Sequence, residues 1–121
     1  MREKKLTKGG EEEMKKFVFV LYSKTMRPPD VRKEEMKKNM DKWMAWFATF
    51  KDKMVDGGNP FRNDAKSVTA EGIETILGDE WPAIGYTIVN AKDMDEATKI
   101  AKGCPELESG GAVRVYEVMP I

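Results

Sequence analysis

An α+β fold, an antiparallel sheet with two helices on one face, is predicted by three observations. Two short runs, Phe17 to Tyr22 (FVFVLY) and Ile84 to Ala91 (IGYTIVNA), are apolar at nearly every position, as strands buried on both faces are. A long helical pattern follows the first run. A short capped helix and a last β-rich run follow the second.

In chain order, Met1 to Glu13 (MREKKLTKGGEEE) carries a Gly-Gly pair and three glutamates, and cannot bury enough apolar surface to order itself. It is expected to be a flexible extension, a solvated terminus in preference to a binding arm, with the domain proper running from Met14 to Ile121. It lacks the apolar segment of a signal peptide. Ser23 to Pro29 is a loop. Asp30 reads as the N-cap of a helix, with Glu34 and Glu35 in its first turn, and the helical pattern continues to about Val55. Met36, Met40, Trp43, Phe47, Phe50 and Met54 make its apolar stripe, with Trp46 and Met44 at the two borders. Such a stripe is a core face first and a pocket wall second. Gly57-Gly58 reads as the helix stop and the start of a turn-rich loop to Asp64.

Lys66 to Ala70 and Ile73 to Leu77 are β-like pieces around Glu71-Gly72, readable as a hairpin or one bent edge strand. Gly78 to Ala83 (GDEWPA) is an acidic loop beside a tryptophan. After the second apolar run, Asp93 and Glu96 have capping-box spacing, Met94, Ala97, Ile100 and Ala101 form a narrow stripe, and Gly103 and Pro105 end the helix. The last run alternates Val113 and Val115 with Arg114 and Tyr116, which suits an edge strand with one wetter face.

This order is two split βαβ units in tandem, the ferredoxin-like βαββαβ sandwich, in which the two doubly apolar runs take the central positions. Helices cover one sheet face only. The other face needs a cover, and a second copy of the chain supplies it most simply, so a homodimer through the open face is expected.

Composition narrows the chemistry. Lys+Arg 21 against Asp+Glu 21 leaves no net charge to favour nucleic acid or an anionic membrane, and no apolar run approaches the roughly 18 residues of a membrane span. A single cysteine fits a reducing cytoplasm. The chain has no histidine, which removes Ser–His and Cys–His nucleophile pairs and ordinary zinc sites. Only carboxylates and carbonyls remain for a metal, without the close spacing such sites show; no metal and no cofactor is expected. Cys104 follows a helix C-terminus, where the dipole disfavours a thiolate, and reads as a small buried residue.

The stretch GYTIVNAKDMDEATKIAKGCP, a strand followed by an acidic-capped helix and its stop, with the closing VRVYEVMPI, together with MKKFVFVLY and the Gly-Gly after the long helix, resembles the YCII-related (DGPF-type) proteins. The resemblance covers Met14 to Ile121. It implies a ferredoxin-like domain of the dimeric α–β barrel type, paired through its sheets, with a pocket between sheet and helices. Some members of that family carry a His–Asp pair proposed to be catalytic, and many carry an Asp-Gly-Pro-Phe motif. Here the corresponding stretch is IETILGDEWPAIGY and histidine is absent, so that catalysis does not carry over.

Two functions compete. One is a binding module for a small, partly aromatic ligand held by Tyr22, Trp46, Asn59, Trp81 and Tyr86. The other is a cofactor-free enzyme with Asp79 or Glu80 as base and a tyrosine as donor. RNA binding is disfavoured, because neither the third strand of the sandwich nor the last carries the basic-aromatic pattern RNA-recognition domains use.

Overall fold

The computed structural model describes residues 14–24, 33–62, 64–76 and 81–120, and for 33–36 the backbone only. The elements are β1 (Lys15–Tyr22), α1 (Lys33–Thr49), β2 (Met54–Asp56), β3 (Lys66–Thr69), β4 (Gly72–Thr75), β5 (Ala83–Ala91), α2 (Met94–Ala101) and β6 (Ala112–Glu117). Residues 1–13, the Asp30 cap and the acidic pair Asp79 and Glu80 lie outside the described residues.

Four strands form one antiparallel sheet in the order β2-β5-β1-β6, the ferredoxin-like arrangement. The two doubly apolar runs are its centre, as expected. Phe17 faces Val89 across the β1–β5 ladder and Phe19 faces Thr87. Those four are essentially inaccessible to solvent, and Phe17, Phe19 and Val89 cluster with Trp46 and Phe50 of the α1 segment and Ala97 and Ala101 of α2. Both helices therefore cover the same face. A bulge opposite Leu21–Tyr22 breaks the alternation of β5 and turns Ile84 into this core as well.

Three sequence expectations need correction. First, the long helix stops at Thr49 and not near Val55. Phe50 leaves helical geometry (φ −136°, ψ 30°), Lys51–Lys53 make one 3₁₀ turn, and Met54 begins a strand opposite Val89. Met54 keeps its place in the apolar pattern because a strand side chain on the helix-covered face reaches the same core. Periodicity at three and four residues cannot distinguish the two.

Second, the edge position beside β5 is taken by β2, and of the two readings of residues 66–77 it is the hairpin that forms, as a two-stranded sheet of its own. Its cross-strand pair Val68 and Ile73 stays exposed. Third, Gly57-Gly58 does not end the helix. Gly58 (φ 82°) turns the chain after β2, where any Cβ would collide with the Tyr86 carbonyl oxygen, so only glycine fits. Thr87 Oγ1 donates to the Gly57 carbonyl at 3.1 Å, fastening the same turn.

The short helix follows its signals. Asp93 Oδ1 accepts from the Glu96 amide at 2.9 Å, and Glu96 Oε1 accepts from the Lys92 amide at 2.8 Å, a reciprocal cap shifted by one residue. Lys53 Nζ reaches Glu96 Oε2 at 2.7 Å and ties the turn after α1 to α2. That ion pair first, and the Lys92 amide second, hold the Glu96 carboxyl below its ordinary pKa. No helix among the described residues is long and apolar enough to cross a membrane.

Candidate functional site

The candidate ligand residues fall on opposite sides of the sheet. Trp46 is on the helix side and is the most buried aromatic of α1, 4% exposed, whereas Met40 of the expected stripe is 60% exposed. The indole stacks on Phe19 with centroids 6.2 Å apart and meets Phe50 edge-on at 4.8 Å. Its Nε1 donates to the Ile100 carbonyl at 2.9 Å. Gly103 makes the room: a Cβ there would lie 3.0 Å from the indole Cδ1. Trp46 is thus a clamp between α1 and α2, with its apolar body and its N–H both satisfied inside the protein.

Above it runs an open groove of about 630 Å³ between α1 and the α2 segment, floored by Ala45, Trp46, Phe50 and Ile100. The Lys42–Glu108 pair, 3.0 Å apart and exposed, spans one end and contributes little to stability. Between sheet and helices Phe17, Phe19, Val89 and Trp46 pack in one apolar cluster.

No helix among the described residues covers the opposite face. Alternation along β1 sends Val18, Val20 and Tyr22 to it, each half-exposed. Ile88 and Tyr86 lie opposite Val18 and Val20 on β5, and Tyr116 and Arg114 lie opposite the same two valines on β6. An apolar centre is therefore bordered by a polar-aromatic group at each edge.

At the β2 edge the Tyr86 hydroxyl donates to Asp56 Oδ2 and accepts from Asn59 Nδ2, both at 3.5 Å. Asp56 Oδ1 accepts from the Gly58 amide at 2.8 Å, and Phe61 lies 6.1 Å from the Tyr86 ring. The chain reaches this position because Pro60 bridges to Gly85 and the Phe61 amide donates to Ile84 O at 2.7 Å. At the β6 edge the Arg114 guanidinium sits 4.9 Å over the Tyr22 ring. Its hydrogen bond to Tyr116, and then the charge interaction with Tyr22, raise its pKa further above an already high value.

Of the sequence candidates, the structure brings Asn59 and Tyr86 together and puts Tyr22 on the same face, with Trp46 behind the sheet. Trp81 precedes β5, 44% exposed, in a left-handed backbone conformation (φ 62°), and no ring contact joins it to the others among the described residues. Asp56, Phe61 and Arg114 are additional members. Arg114 carried a signal, its place on the wet side of the last strand. Asp56 carries none, standing between a helical pattern that runs to about Val55 and its Gly57-Gly58 stop.

Chemically the face offers phenols, an amide, a carboxylate and a guanidinium around an apolar floor. That inventory suits binding. The one thiol is elsewhere: Cys104 is 2% exposed, and burial pushes its pKa up to about 12, so it is no nucleophile at neutral pH.

No curated protein matches the chain significantly. The sequence pattern that defines the YCII-related domain matches residues 18–121, which takes in every strand and helix described above except the first three residues of β1. The chain belongs to the YCII-related family.

Proposed function

We propose that this protein is a homodimeric small-ligand-binding domain. In this reading a second copy lies over the uncovered sheet face, and the ligand lies between the two sheets at the polar-aromatic edges. The observation that carries it is that face: Val18, Val20 and Ile88 on central strands, uncovered by either helix, with Tyr86–Asn59–Asp56 at one edge and Arg114–Tyr22–Tyr116 at the other. Sheets stack about 10 Å apart, which leaves room for large side chains to shape a compartment. A two-fold axis lets one patch serve both copies. The buried free Cys104 agrees with a reducing compartment such as the cytoplasm.

Light scattering tests the dimer. A chain of 13.8 kDa should elute at twice that mass, and Val20→Lys should return it to the single-chain mass. A monomeric unsubstituted protein sinks the dimer. Thermal-shift measurement across a panel of small organic acids, amines and neutral aromatics tests the ligand half, and no stabilisation by any member counts against it.

A further inference from the structure

The Arg114 cluster points to a ligand class. Arg114 stands on β6 beside Val20, its guanidinium over the face of Tyr22, with the Tyr116 hydroxyl next to it. Among the described residues no carboxylate pairs with it; the described ion pairs are Lys42–Glu108 and Lys53–Glu96. The exposed guanidinium lies over one ring face and bonds the tyrosine hydroxyls, and since it carries five N–H donors some remain for a carboxylate, which such a planar fork takes through two parallel hydrogen bonds. Both tyrosine hydroxyls can add a donor. In register, Arg114 is followed across the sheet by Val20 and then Tyr86. Two strand spacings put the β5 backbone at Tyr86 roughly 10 Å from that of Arg114. A carboxylate on Arg114 would thus have an apolar floor beside it and a phenol–amide–carboxylate group beyond.

We propose that Arg114, flanked by Tyr22 and Tyr116, recognises the carboxylate of a small aromatic or apolar acid whose body lies over Val20 toward Tyr86. This rests on the small-ligand half of the proposed function and is independent of the dimer. The competing occupant is a carboxylate from a second copy, such as Asp56 at the opposite edge of the same face. A two-fold axis along the strands would bring the β2 edge of one copy over the β6 edge of the other.

The test is an NMR titration of the full chain with benzoate, and with neutral benzamide as control, at fixed ionic strength. It follows the Arg114 side-chain N–H and the Val20 methyls. Benzoate should shift both saturably and benzamide should leave the arginine signal in place. A charge-assisted hydrogen bond corresponds to about tenfold or more in affinity, so Arg114→Gln should weaken benzoate by at least about that factor. Arg114→Lys, which keeps charge and loses the fork, should fall between. Thermal midpoints near that of the parent protein confirm that the exposed substitutions leave the fold intact.

Absence of benzoate saturation, or unchanged affinity in Arg114→Gln, overturns the proposal. So does conversion of Arg114→Gln to a monomer with benzoate binding intact, which would assign Arg114 to a second copy. A monomeric parent protein that loses benzoate on Arg114→Gln supports the carboxylate site while removing the dimer. A dimer indifferent to benzoate does the reverse.

Discussion

Phe19 and Val20 are neighbours on β1 and live in different solvents. Phe19 is wholly buried under Trp46, while Val20 on the other face is half-exposed between Tyr86 and Arg114. The same division runs across the sheet. On the helix side the buried side-chain polar atoms among the described residues all have partners, the indole N–H in Ile100 and the Thr87 hydroxyl in Gly57, and the Glu96 carboxylate meets Lys53 and Lys92. On the bare side a guanidinium, three phenols and an amide surround valines and an isoleucine. One face closes its polar groups inside the protein; the other bonds them to one another at edges that solvent reaches. For a family member without the histidine of the proposed catalytic pair, that contrast is the best guide to function.

The largest test of the contrast is truncation under the helices. Trp46→Ala or Phe19→Ala removes a ring from a packed cluster and should cost about 3–5 kcal/mol by urea or guanidinium unfolding. A loss near that of an ordinary surface substitution would break the assignment of this face as the core. Gly58→Ala comes next. The left-handed backbone and the collision with the Tyr86 carbonyl should cost roughly 1–3 kcal/mol, and the signals of Tyr86 and Asn59 should shift with it.

Glu96→Gln should cost on the order of 1 kcal/mol, through loss of the charge that Lys53 meets and weakening of the bond to the Lys92 amide. Because the folded-state pKa of Glu96 lies below the ordinary value of 4.5, its contribution is complete above that value. It is lost as pH falls through the depressed folded-state value. Unfolding free energies of parent and Glu96→Gln should therefore converge in acid, and a constant gap down to low pH would contradict the pairing. Smallest is Val20→Thr on the bare side, expected within about 0.5 kcal/mol for the isolated chain. In the proposed dimer its cost should appear as a concentration-dependent midpoint.

Legibility followed the range of the interactions. The cap of α2 could be read because Asp93 and Glu96 satisfy backbone groups within one turn. Cys104 could be read as inert from its place at a helix end, although burial proves the larger cause. The central strands could be read because doubly apolar runs have few other uses. Trp46 could not be placed: helical periodicity put it at a border, and its central role depends on Gly103, distant in sequence, leaving room for the indole. Asn59 has only its loop position to single it out in the sequence, and its contact with Tyr86 depends on the Pro60–Gly85 bridge, which no local pattern announces.

The sequence by itself determined the ferredoxin-like element order, the two central strands and the absence of histidine chemistry, since these rest on local pattern and on inventory. Tertiary structure alone decided that Met54–Asp56 becomes the edge strand, that the β3–β4 hairpin stands apart, and that Tyr22, Asn59 and Tyr86 face away from Trp46. The physical reason is the same for all three. The outer edge of β5 must satisfy its backbone with whatever segment reaches it, and that pairing, which no window of sequence contains, sets which face each side chain meets.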